Sequence, residues 1–308
     1  MFDNTNLKKV SENTRNPKVP LKDEIFEILF NEKEETQKKQ INKKILISGM
    51  NGTAKSSLSL ALAISNLKED EVIIYVDIDN SGFEIVQEFY LDYYKKRQVR
   101  IYNPDRTHEV NGVTVKDEEA IVGASGSAAQ SIKDAINAGF KVKAVIVDGI
   151  SFLLEYCESI MRIDKNKAAD EGIPMGAWKI RNKAFRDFSS PYMALPVPVI
   201  FISHEDFIRE MQPEGQKFAS VKQRFIDECS VRLVLEKRNG SNPDVTEYLA
   251  TIRKNRADVT KENQEYIFMK INCKTEKVDF DIKDLVNVIF PTDIGDIENN
   301  EWVYCKLW

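Results

Sequence analysis

The chain has 308 residues, 42% of them hydrophobic, and its 44 basic and 49 acidic side chains leave a net charge of −5. That length suits one large domain or one domain with appendages, and that balance excludes a polycation, so any nucleic-acid contact has to come from local basic loops. Cys157, Cys229, Cys273 and Cys305 are far apart and only His108 and His204 could join them, which argues against a zinc site and a disulfide framework.

Residues 1–42 are polar and charged, and their first 20 are expected to lack fixed structure. No apolar run follows Asp3, Lys8 and Lys9, and no stretch reaches the length of a membrane span. The expectation is a cytoplasmic protein with no signal peptide and no membrane partner. The pattern over 21–40 predicts a helix whose apolar patch is Ile25, Phe26, Ile28, Leu29 and Phe30. Such a patch is too small to fold alone, and either packs on its own domain or forms an arm that docks on a neighbouring subunit.

From Lys43 onward apolar, β-branched runs at 44–48, 72–77, 99–102, 142–147 and 197–203 alternate with helical stretches at 56–67, 83–96, 128–138 and around 177–188. Continuous apolar runs suit strands buried on both faces, so the pattern predicts an α/β core with a mainly parallel sheet and helices on both faces. Further strands are expected at 231–237, 247–253 and 266–271, joined by turns and closing one edge antiparallel. The expected organisation is a charged arm with one helix (1–42), a core (43–278) and an acidic tail (279–308).

The segment from Ile45 to Ser57 reads strand, loop, helix. Its Gly49-Met50-Asn51-Gly52-Thr53-Ala54-Lys55-Ser56 matches the phosphate-binding loop G-x-x-x-x-G-K-[ST], except that Ala54 replaces the last glycine. Gly49, Asn51, Gly52, Thr53, Ala54, Lys55, Ser56 and Ser57 are the candidate nucleotide contacts. Backbone N–H groups and the helix dipole face the phosphates, Lys55 neutralises them, and the Ser56 hydroxyl takes Mg²⁺. The alternative is a chance match in an ordinary strand–turn–helix. A second strand ends Val145-Ile146-Val147-Asp148-Gly149, where Asp148 can hold Mg²⁺ through its water shell.

With three further places these motifs make the chain from about Lys43 to Ile271 resemble the RecA-like P-loop ATPases, with phage-type single-strand-annealing and recombination ATPases the nearest group. The resemblance implies that Asp79, after Ile74-Tyr75-Val76-Asp77-Ile78, is the general base, standing where the family usually has Glu; the plainer reading of Asp79-Asn80 is a turn. It implies that His204, after Val199 to Ser203, is a polar sensor of the γ-phosphate rather than an exposed strand-end histidine. It implies that Lys254 and Arg256 reach the γ-phosphate of a neighbouring subunit, the alternative being a basic turn.

The same resemblance implies a homo-oligomer, ring or filament, with ATP and Mg²⁺ sites between subunits, and two loops that hold single-stranded DNA. One is about 164–179, with Lys165, Lys167, Trp178 and Lys179. The other is about 205–225, with Arg209, Lys217, Lys222, Arg224 and Phe225. Basic side chains suit phosphates and aromatic ones can stack on bases, although mixed charge also fits solvated loops. The expected function is ATP hydrolysis coupled to single-stranded DNA in recombination or replication. A hexameric helicase or packaging motor is one alternative, and a nucleotide-gated binding module with little turnover is the other.

Overall fold

The computed structural model describes residues 43–110, 113–167, 171–204 and 221–290. Among them nine strands form one sheet. In chain order these are β1 (Lys44–Gly49), β2 (Val72–Asp77), β3 (Val99–Tyr102), β6 (Val142–Asp148), β7 (Val199–His204), β8 (Val231–Asn239), β9 (Val245–Asn255), β10 (Glu265–Asn272) and β11 (Val278–Phe280). The strands lie in the order β11-β10-β9-β8-β1-β7-β6-β2-β3. From β8 to β3 every pairing is parallel; β9, β10 and β11 extend the β8 side antiparallel. A separate hairpin, β4 (Thr107–Val110) with β5 (Val113–Lys116), follows β3.

The strand period of two divides the core. Ile45, Ile47, Ile73, Tyr75, Ile146, Ile200 and Ile202 pack on one side of the sheet, with α1 (Lys55–Ile64), α2 (Gly82–Phe89) and α8 (Lys283–Ile289). Leu46, Val76, Val145, Val147, Val199 and Phe201 pack on the other, with α4 (Glu118–Asn137), α5 (Ile150–Asp164), α6 (Trp178–Met193) and α7 (Val221–Glu228). Both faces of the parallel strands are thus covered, which is why their sequences are continuously apolar.

Several boundaries differ from expectation. The helix expected over 83–96 is two helices, α2 and α3 (Leu91–Lys95), broken at Tyr90, which is buried and whose hydroxyl donates to the Ser57 carbonyl at 3.0 Å. The compact body continues past the expected boundary at 278. Val278 and Phe280 extend the sheet, and Leu285, Val286 and Ile289 are buried against β9 and β10. Aspartates at 279, 281 and 284 hid this apolar set in the sequence. The N-terminal arm and the chain beyond Phe290 lie outside the described residues. Among the described residues no helix is long and apolar enough to cross a membrane.

Candidate functional site

Register brings the candidate residues to one end of the sheet. Gly49 pairs with His204, Asp148 with Ile202, and Asp77 with Asp148, so β1, β7, β6 and β2 all present their carboxyl ends together. Ligands of open α/β sheets bind at this edge.

The loop between β1 and α1 is tightly built. A Cβ on Gly49 would lie 2.7 Å from both the Leu235 carbonyl and Thr53 Oγ1, so only glycine fits there. Thr53 Oγ1 donates to the Met50 carbonyl at 2.8 Å. Lys55 Nζ donates to the Gly49 and Met50 carbonyls at 3.0 and 2.9 Å, which folds the lysine over the loop. Burial lowers its pKa, and the carboxylates of Asp148 and Asp79 pull the other way. Asn51 and Gly52 are exposed at the turn, and Gly52 has φ 74°.

Ala54 is the N-cap of α1 at φ 60°, ψ 33°, a left-handed conformation, and it makes no side-chain cap. The first turn holds no acidic residue. α4 is different: Asp117 accepts from Ala120 N at 2.9 Å, and Glu118 and Glu119 follow. The N–H groups of the α1 first turn are therefore capped by no side chain and face the loop, the arrangement that receives an anion.

The alanine methyl costs about 1–2 kcal/mol in the left-handed region, partly offset by the smaller entropy of an unfolded chain without an extra glycine. Ala54→Gly is expected to stabilise the protein by about 0.5–1 kcal/mol and raise the melting temperature by about 1–4 °C. A thermal melt checks this, and a lower melting temperature would show that the loop is not strained at Ala54.

Ser56, at the start of α1, donates through Oγ to Asp148 Oδ2 at 2.6 Å. Tyr75, fully buried on β2, donates its phenol to the same oxygen. Burial and then the charge of Asp79 push the Asp148 carboxyl up to about 7, while the two hydroxyl bonds oppose that rise. A cation bound there would drive the remaining proton off. With its hydrogen directed at Asp148, the Ser56 oxygen has its lone pairs available to a hard cation. Among the described residues no three acidic, histidine or cysteine side chains converge. Two oxygens from Ser56 and Asp148 suit a cation whose other ligands are phosphate and water, as Mg²⁺ prefers.

The two aspartates on the β2 loop differ. Asp77 is buried, and both its oxygens accept from the Gly82 N–H at 3.1 Å, with Phe83 N at 3.3 Å, so it caps α2. Burial pushes its pKa up to about 6. Asp79 is half-buried, and its Oδ1 accepts from Ser81 N at 3.0 Å and from Ser81 Oγ at 2.7 Å. The turn at Asp79-Asn80 is therefore real, with Asn80 at φ 65°. Its backbone also packs on the Asp148 strand end: a Cβ at Gly149, which has φ 97°, would come within 3.1 Å of Asp79 N. A cleft of about 400 Å³ opens beside this loop, lined by Asp77, Asn80, Phe83, Glu84, Tyr94, Ile101 and Asn103.

His204 stands at the end of β7, between β1 and β6 in the sheet. Its backbone N–H donates to Ser151 Oγ at 3.4 Å and its ring meets Phe152 edge-on at 5.3 Å.

Lys254 and Arg256 are not brought to this edge. β9 runs antiparallel, pairing Asn255 with Val231 and Lys254 with Arg232, and Val231 pairs with Ile45. That places them about 13 Å along the strands from Gly49, toward the opposite edge. Lys254 Nζ donates to the Asp227 carbonyl at 2.7 Å, and Arg256 also donates to that carbonyl. Both therefore cap the carboxyl end of α7, where cations are favoured.

The DNA-loop candidates divide. Arg209 and Lys217 lie outside the described residues, as does the side chain of Lys222. Arg224 pairs with Glu228 at 2.8 Å on the exposed face of α7. Phe225 is a correction: it is buried between Phe185 and Phe201, with ring centroids 5.5 and 4.9 Å away, and cannot stack on a base. In the first loop Lys165 pairs with Asp164 and Lys167 with Glu171, Trp178 carries the Arg181 guanidinium 4.3 Å above its ring, and Lys179 already belongs to α6.

Tyr75, Gly82 and Gly149 were not singled out from the sequence. Only the Gly after Asp148 and the Ser81-Gly82 pair hinted at close approach. The aim of the Tyr75 hydroxyl depends on the register of β2 with β6. Comparison with protein-family models finds none that matches this chain, and a search of curated proteins finds no relative.

Proposed function

We propose that the chain is a RecA-like P-loop ATPase that binds Mg²⁺-ATP at the loop from Gly49 to Ser57. The observation that carries this is the 2.6 Å bond from Ser56 to Asp148, residues from two motifs far apart in sequence, one on the helix that follows β1 and one at the end of β6, with β7 between those strands. Added support comes from the uncapped α1 N-terminus and from Lys55 folded over the loop. Bound Mg²⁺ would neutralise charge on the transferring phosphoryl group. The chain's own residues then have distinct tasks. Ser56 and Asp148 would hold the cation, Lys55 would meet the phosphates, Asp79 would accept the proton of the attacking water, and His204, opposite Gly49 in the register of β7, would meet the γ-phosphate. Lys254 and Arg256 cannot serve their own loop across the sheet, so they would act on a neighbouring subunit. Action on single-stranded DNA rests on the family resemblance and on the basic residues after His204.

One observation favours a second reading, a nucleotide-gated module with little turnover: Asp79 is already committed to Ser81 through two hydrogen bonds. Phosphate release from ATP, with and without single-stranded oligonucleotide, separates the readings. Hydrolysis stimulated by the oligonucleotide supports the coupled ATPase. Tight binding with no turnover in either condition supports the gated module.

A further inference from the structure

We propose that Tyr75 is a positioning residue for the cation site, holding Asp148 so that Ser56 stays a donor to it and offers its lone pairs outward. The inference rests on the nucleotide reading above and adds a residue to it. Three observations carry it. The Tyr75 phenol and the Ser56 hydroxyl converge on one oxygen, Asp148 Oδ2, which fixes that carboxylate as a double acceptor. Tyr75 is fully buried on β2 in the same apolar cluster as Ile73, Ile146 and Ile202, so its hydroxyl is a polar group placed in the core at a desolvation cost. Its ring lies flush on Gly82, where any Cβ would overlap the ring, and Gly82 N is itself held by Asp77.

Asp77, Gly82, Tyr75, Asp148 and Ser56 thus form one chain of contacts. It runs from the loop that carries Asp79 to the start of the phosphate-loop helix. Partners that orient a metal ligand are commonly worth 10–100-fold in metal affinity.

The test is Tyr75→Phe, which keeps the ring on Gly82 and deletes only the hydroxyl. Binding of a fluorescent ATP analogue is titrated with Mg²⁺, and again in a chelator, alongside a thermal melt. The expected result is a Mg²⁺ half-saturation about 10-fold higher than wild type, with unchanged affinity in the chelator. An unchanged Mg²⁺ requirement overturns the inference, and so does an equal loss of affinity with and without metal, which would mark a merely structural hydroxyl. Wild-type protein that binds no nucleotide in either condition removes the site reading itself. That failure is distinct from a wild type whose Mg²⁺-dependent binding Tyr75→Phe leaves untouched.

Discussion

Lys55→Ala is expected to lower Mg²⁺-ATP affinity by at least about 100-fold, a loss of about 2.7 kcal/mol, while the protein stays folded. The amine is folded over the loop, and it approaches from within a nearly buried position where water screens it little. Its removal also takes this donor from the Gly49 and Met50 carbonyls, the first at a buried position and the second at an exposed one. The fold should survive because α1 is anchored elsewhere, by Leu58, Leu60 and Leu62 at 0–1% exposure, and alanine is a good helix former. Equilibrium titration with a fluorescent nucleotide, beside a circular dichroism melt, checks both halves. Wild-type affinity in the folded mutant would contradict the assignment of Lys55.

Arg256→Ala and Asp79→Ala are each expected to reduce ATP turnover by about 1,000-fold or more, and an equimolar mixture to recover about a quarter of the wild-type rate. The geometry sets the second figure. Arg256 lies toward the sheet edge opposite Gly49, so under the proposed ATPase reading it would act on a neighbour's site. In a randomly mixed assembly half of the phosphate loops keep Asp79, and half of their neighbours keep Arg256. Arg256 also holds the carboxyl end of α7, so a melt of the single mutant must accompany the assay. A mixture no faster than its parents, or specific activity independent of protein concentration, would leave Lys254 and Arg256 as a helix cap alone.

How much of this was visible in the sequence follows from what each feature depends on. β1, β2 and β6 were legible almost to the residue, because strands buried on both faces write continuous β-branched runs, and the edge strand β3 was legible as a short apolar run. The strand, turn and helix around Gly49 to Ser57 were legible because glycine spacing and the flanking apolar pattern are local features. Asp148 and Ser56 could both be named for one cation, but the Tyr75 contact with Asp148 could not. That Ser56 meets Asp148, with β7 between β1 and β6, depends on the strand order, which is a long-range property. Tyr75 looked like one more apolar core residue, since only pairing decides which carboxylate a buried phenol reaches. The β4–β5 hairpin was missed although Asn111-Gly112 between its strands is a hairpin signal, because its strands alternate polar residues without a core face. Phe225 was misjudged because a short amphipathic helix and a loop with scattered aromatics look alike until a partner face such as Phe185 and Phe201 is known.

The most direct test of the phosphate-loop assignment is amide hydrogen exchange of the wild-type protein with and without saturating Mg²⁺-ATP. Residues 50–52 are exposed and the N–H groups of the first turn of α1 have no side-chain cap, so without nucleotide the segment should exchange fast. Bound phosphates should slow them strongly, together with the segment after Asp148, and should leave the β9–β10 edge unchanged. Binding that protects some other region, or saturating nucleotide that leaves residues 50–57 exchanging at the same rate, would contradict the assignment.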